Sequence, residues 1–178
     1  MNSILYTDRM RLEGHDDRSL KVLFDTKSAA EVQKLLGLTD AELARFKKIH
    51  GEGFGAYNHS MFVFRLFDRE TEVCLGECGF HSWNKEHHRA EVFYNLKSDE
   101  FKQKGLMTEA LKVVLHYGFN TLELNRIQGL VADNNTASVK LLSKYGFGFE
   151  GTLRGDYAVD GVFEDSDCYA LLRADWRE

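Results

Sequence analysis

A basic, glycine-containing turn, Lys102-Gln103-Lys104-Gly105, runs directly into an amphipathic helix that opens Leu106-Met107-Thr108-Glu109-Ala110. These residue types suit phosphate binding. A helix N-terminus presents backbone N–H groups without intrahelical acceptors, together with a partial positive charge. Glycine keeps side-chain bulk away from the phosphates, and outward-pointing amides supply the donors. Taken alone, a single-glycine turn has low specificity, and a solvated, charged helix start is the competing reading. A second polar group follows downstream: Asn135-Thr136-Ala137-Ser138, then Leu141 and Gly146-Phe147.

Other reactive side chains carry less. Glu86-His87-His88-Arg89, with His81 nearby, lacks the helical i, i+4 histidine pair of a zinc protease, so a solvated turn is expected and no metal. Glu164, Asp165 and Asp167 could attract a cationic acceptor, although a solvated strand end explains them more simply. Cys74, Cys78 and Cys168 form neither a disulfide framework nor a zinc site. They are expected as free thiols within strands, in a reducing compartment.

The elements that must position these groups are legible from periodicity and caps. Ile4–Leu12 has a strand pattern. Asp16-Asp17 can cap a helix through Leu20 and Phe24, and Ser28 can open a second that ends near Gly37. Thr39-Asp40-Ala41-Glu42 is a capping box, so a third helix should run to about His50. Residues 51–60 are glycine-rich and polar, as in a loop. Met61–Phe67, Val73 to about Ser82, and Ala90–Leu96 then follow as three antiparallel strands in series. Phe62, Phe64, Phe67 and Phe80 are candidate core residues.

Leu106, Ala110, Val113, Val114 and Tyr117 recur at helical spacing. Arg126–Ala132 is a further strand. Asn134 or Asn135 caps a helix carrying Leu141, Leu142 and Tyr145, and Gly146 suits its left-handed stop. Phe147 to about Tyr157 and Glu164–Leu172 close the chain as a hairpin about Asp160-Gly161. The order β, two or three helices, βββ, α, β, α, ββ predicts an α/β fold: a mixed, largely antiparallel central sheet with helices on both faces.

The chain has 178 residues, so one domain spanning 1–178 is expected. It contains no proline, no repeat and no low-complexity segment. The net charge of −5 argues against nucleic-acid binding, which usually needs a basic face. No apolar run approaches a membrane span and the N-terminus lacks a signal-peptide pattern, so a cytoplasmic protein is expected.

The phosphate turn, the downstream Asn135-x-x-Ser138 and Gly146-Phe147, and their spacing resemble the acyl-coenzyme A site of the GNAT acetyltransferases, within them the Rim-type branch that acetylates ribosomal-protein N-termini. Thr7-Asp8-Arg9-Met10-Arg11-Leu12 is similar to that branch's opening Thr-Glu-Arg-Leu-x-Leu-Arg, and Thr108-Glu109-Ala110 to its Thr-Glu-Ala. Glu150-Gly151-Thr152-Leu153-Arg154, Asp165 with Tyr169, and Trp176 resemble its closing strands. Gln103 stands where a glycine is common, Met107 where alanine or glycine is usual, and Phe93 where the branch has glycine.

The resemblance implies an acetyl-CoA-dependent N-acetyltransferase acting on a primary amine, such as a protein N-terminus, by direct transfer in a ternary complex. Its backbone amides over Lys102, Gln103, Lys104, Gly105, Leu106, Met107 and Thr108 would hold the coenzyme A diphosphate, and Asn135 the pantetheine arm. Glu91, in Ala90-Glu91-Val92-Phe93-Tyr94, would accept the amine proton, helped by burial or a water relay. Alternation puts Glu91, Phe93 and Asn95 on one strand face and Ala90, Val92, Tyr94 and Leu96 on the other. A backbone N–H at Val92 or Phe93 would stabilise the oxyanion. Ser138 would donate to the departing thiolate, because the position where some relatives carry a tyrosine acid is Leu142. Other acceptors in the same branch include polyamines, amino acids and amine antibiotics. A non-catalytic acyl-CoA sensor and a dimerisation domain are the rival functions, with a monomer or homodimer equally open.

Overall fold

The computed structural model describes residues 3–53, 60–132 and 134–177. They form eight strands and five α-helices: β1 Ser3–Tyr6, β2 Met10–Asp16, α1 Asp17–Thr26, α2 Ala29–Leu36, α3 Asp40–Glu52, β3 Met61–Asp68, β4 Cys74–Asn84, β5 Arg89–Leu96, α4 Leu106–Asn120, β6 Arg126–Ala132, α5 Thr136–Lys144, β7 Gly148–Val159 and β8 Val162–Leu172. The strand expected over Ile4–Leu12 is two strands. Thr7 breaks it: its N–H donates to the Met10 carbonyl (2.9 Å) and its Oγ1 accepts from the Met10 N–H (3.0 Å), turning the chain so that β1 pairs antiparallel with β2. Helix α3 runs two residues past the expected stop near His50, and residues 54–59 of the expected loop lie outside the described residues.

The chain divides into two units: Met1–Trp83 with Phe93–Leu115, and Asn84–Val92 with His116–Glu178. In the first, β1, β2, β3 and β4 pair in sequence order, each antiparallel to the next. The second half of β5 lies beside β4, where the Lys97 N–H donates to the Leu75 carbonyl (2.9 Å). Three N-caps form as their residues predict. Asp16 accepts from the Ser19 N–H, while Ser28 and Thr39 build reciprocal capping boxes with Glu31 and Glu42. The caps set helices α1–α3, whose apolar stripes bury Leu20, Val32, Leu36, Leu43 and Phe46 around Val63 of β3, with Phe93 packed against them. Phe62, Phe64, Phe67 and Phe80 are all core residues.

Within that core lies a charge the strand pattern does not advertise. Arg65 is fully buried. Its guanidinium pairs with Glu77 (2.5 Å) and Glu42 (3.0 Å) and donates to the Leu36 carbonyl (2.9 Å). Arg45 completes the pairing of Glu77 (2.9 Å), and Lys97 that of Glu42 (2.8 Å). A buried ion needs such compensation on every donor, or its desolvation would dominate.

In the second unit the first half of β5 pairs parallel with β6, and β8 lies between β6 and β7. The Asp160-Gly161 hairpin forms with both residues at positive φ, as a type I′ turn requires. Gly129 of β6 lets α5 approach closely. A Cβ there would sit 3.0 Å from Leu142 Cδ1 and 3.5 Å from Val92 Cγ1. The three cysteines are free, and each belongs to a strand.

Candidate active site

The turn before α4 has the backbone shape a phosphate cradle needs. A short 3-10 turn at Asp99–Phe101 leads into it, and the Lys102 N–H donates to the Asp99 carbonyl (3.0 Å). Gln103 (φ +59°) and Gly105 (φ +77°) are both left-handed. Alternating handedness of this kind gathers successive amides into a concave anion-binding surface. The glycine at 105 is required by its φ and not by crowding, because a Cβ there would meet only Arg9 Nη2 at 3.6 Å. Gln103 holds a conformation that glycine adopts without strain. The first helical bond runs from the Glu109 N–H to the Gly105 carbonyl (3.1 Å), so the Leu106 and Met107 amides precede the intrahelical ladder. Lys102 through Gly105 are exposed, Leu106 is buried, and Met107 and Thr108 are half-buried. Lys102 pairs with Asp99 (2.6 Å) in an exposed ion pair, which lowers the Asp99 pKa and commits part of the charge that sequence reasoning assigned to phosphate. Phe93 stacks on His81, with ring centroids 5.6 Å apart, and packs toward the α1–α3 cluster.

In the second unit, Glu91 stands opposite Gln128 across the parallel β5–β6 pair and is half-buried. Alternation holds: Ala90 and Val92 are buried while Glu91 is not. Nearby, Arg126 grips Glu150 in a bidentate pair (2.8 and 2.6 Å), which raises its own pKa and lowers that of Glu150. Burial pushes the Cys168 thiol up, the Glu150 and Glu91 carboxylates add to this, and Arg126 opposes it. Glu91 therefore belongs to a polar group with Arg126, Glu150 and Cys168. Sequence spacing could not reveal this, because four strands supply it.

Asn135 is the N-cap of α5, its Oδ1 accepting from the Ser138 N–H (3.1 Å), which settles the choice between Asn134 and Asn135. Ser138 lies one turn before Leu142 on the same helix stripe, and Leu142 is the side chain that seats α5 on Gly129. Ser138 is half-buried and Asn135 exposed. Gly146 takes the left-handed stop (φ +83°). The acidic residues of the last hairpin are engaged locally: Tyr157 donates to Glu164, the Gly155 N–H to Asp165, and Thr152 to Asp167. His88 Nδ1 lies 3.0 Å from the Glu123 carbonyl, and the His87 N–H donates to Asn84. No helix among the described residues is long and apolar enough to cross a membrane.

Comparison with known proteins agrees with these features. The sequence profile of the acetyltransferase (GNAT) domain matches residues 9–148. The "Uncharacterized N-acetyltransferase p20" of Bacillus licheniformis is 33% identical over 178 residues, covering 97% of each chain. The ribosomal protein uS5-alanine N-acetyltransferase of Escherichia coli is 29% identical over 137 residues, 76% of this chain and 67% of that one. The crystal structure of the ribosomal-protein-S5-alanine acetyltransferase from Vibrio fischeri superposes with a TM-score of 0.69 at 19% identity, covering 99% of this chain and 100% of that one. The chain belongs to the GNAT acetyltransferase family and is an N-acetyltransferase. Members of that family use acetyl-CoA as the acetyl donor.

Proposed function

We propose that the protein transfers acetyl from acetyl-CoA directly to the N-terminal amine of a protein or peptide within a single 1–178 domain. The observation that carries the donor half is the turn itself: two left-handed residues, Gln103 and Gly105, immediately before α4. The amides over Lys102–Thr108 bind the diphosphate, the Asn135 side chain holds the pantetheine arm, and the Val92 and Phe93 backbone lies along the acyl end. The N-terminal acceptor is supported by the uS5-alanine enzyme of Escherichia coli among the relatives.

Glu91 accepts a proton from the amine through a water molecule, leaving the nitrogen lone pair to attack the thioester carbonyl. A backbone N–H at Val92 or Phe93 stabilises the oxyanion. As the carbon–nitrogen bond forms and the carbon–sulfur bond breaks, the Ser138 hydroxyl donates a hydrogen bond to the departing thiolate, which takes up the proton that the acylated nitrogen sheds and leaves as the thiol.

The test is thiol release from acetyl-CoA against peptides with free Ala or Ser N-termini, polyamines, amino acids and aminoglycosides, with Glu91→Gln alongside. Release with the peptides, reduced by about a hundredfold in the variant, is expected. Full activity of Glu91→Gln at saturating acceptor removes Glu91 as the base. Release with polyamines alone overturns the peptide acceptor. Saturable coenzyme A binding with no release from any acceptor overturns the proposed transfer.

A further inference from the structure

We infer that Arg9 is a positioning residue that holds the phosphate turn in its binding conformation; this rests on the donor half of the proposed function. Arg9 ends the turn between β1 and β2. Its backbone is anchored on both sides. Its carbonyl accepts from the Arg69 N–H (3.0 Å), while Arg69 Nη1 donates to the Thr7 and Asp8 carbonyls (3.1 and 3.2 Å). From that fixed base the guanidinium reaches the start of α4. Nε donates to Glu109 Oε1 (2.8 Å), and Nη2 contacts the same oxygen (2.5 Å) and donates to the Lys104 carbonyl (2.9 Å).

Two consequences follow from the geometry. Lys104 lies between the two left-handed residues, so the Lys104–Gly105 peptide could otherwise turn either face outward. A trans peptide is planar, with its C=O and N–H on opposite sides. Pinning the Lys104 carbonyl onto Arg9 therefore aims the Gly105 N–H away from Arg9, at an exposed position of the turn. The second consequence is electrostatic. Glu109 is a carboxylate in the first turn of the helix that is to receive a phosphate, and its Oε2 is buried without a hydrogen-bond partner among the described residues. Unpaired, it would repel the diphosphate. Arg9 neutralises it while supplying the strap. Lysine keeps the charge but lacks the second nitrogen, Nε, that fixes the guanidinium on Glu109 while Nη2 reaches the Lys104 carbonyl, so it should hold the turn less firmly.

The experiment compares acetyl-CoA with S-acetylpantetheine, which carries the same thioester and arm but no diphosphate. In Arg9→Met, kcat/KM for acetyl-CoA should fall about tenfold, through KM, while kcat/KM for S-acetylpantetheine stays unchanged. Arg9→Lys should lose about threefold with acetyl-CoA only. It also carries the test should Arg9→Met fail to fold. Equal losses with both donors, or none with either, overturn the role of Arg9. If the wild-type protein itself shows no preference for acetyl-CoA over S-acetylpantetheine, the assignment of the turn to phosphate fails, whatever the variants do. If that preference exists and survives in both variants, the inference about Arg9 alone fails.

Discussion

At the scale of single residues, the two side chains proposed to take part in the chemistry differ in how they are held. Ser138 is placed by a helix whose seat is Leu142 on Gly129. Glu91 is placed by strand pairing with β6, and its neighbours Cys168, Arg126 and Glu150 come from elsewhere in the chain. Ser138→Ala removes a hydroxyl from a half-buried stripe and leaves the cap made by Asn135 onto the residue-138 amide intact. It should lower kcat about tenfold or more with little change in the acetyl-CoA KM, since a hydrogen bond to a thiolate forms only as charge develops on sulfur. Steady-state kinetics decides this, and a change confined to KM would remove Ser138 from the leaving-group role.

At the scale of elements, the turn before α4 is the place where sequence and backbone meet most directly. Its two left-handed residues lie on either side of the carbonyl that Arg9 holds. Gly105→Ala puts a Cβ on a residue at φ +77° without any steric clash to explain a loss. The cost is therefore conformational, about 1 kcal/mol of stability. If the turn instead relaxes to relieve that strain, the acetyl-CoA KM rises while kcat holds. Denaturant melts together with the KM–kcat split check both halves, and an unchanged KM with unchanged stability would show that the turn does not need its left-handed residue at 105.

At the scale of the whole molecule, acid sensitivity should be written by two groups in the core of the first unit. His15 is only 7% exposed, and neither ring nitrogen has a hydrogen-bond partner among the described residues. Burial, aided by the positive charge of Arg65, lowers its pKa to about 4. Glu42 is lowered to about 2: burial would raise it, but hydrogen bonds from Lys97 and the Thr39 amide and the charge of Arg65 outweigh that. In both cases the unfolded chain binds the proton more readily, so stability falls with falling pH. The His15 contribution should disappear between about pH 6.5 and 4, and the Glu42 contribution between about 4.5 and 2. Urea denaturation across a pH series should show the decline beginning near pH 6.5. His15→Leu should abolish the upper part of the slope and keep the lower, whereas an unaltered slope would assign the acid loss to other groups.

Much of this protein was determined within short stretches of sequence. Asp16, Ser28, Thr39 and Asn135 cap their helices because a side-chain oxygen reaches an amide three residues away, an interaction that needs no tertiary partner. The Asp160-Gly161 hairpin and the alternation of burial over Ala90, Glu91 and Val92 are equally local. The glycine turn before α4 and the Asn135 cap were legible because each is continuous in sequence. The tertiary structure decided what depends on distant partners. An arginine in an apolar strand gives no sign that it is buried until Glu42 and Glu77 arrive from other elements. The split of the first strand becomes visible only when β1 folds back onto β2. Arg9 and Glu109 lie in separate motifs 100 residues apart, and only folding brings their charges to 2.5 Å. Caps and turns are written in backbone geometry over three or four residues, whereas the pairing of buried charge depends on which elements come to lie side by side.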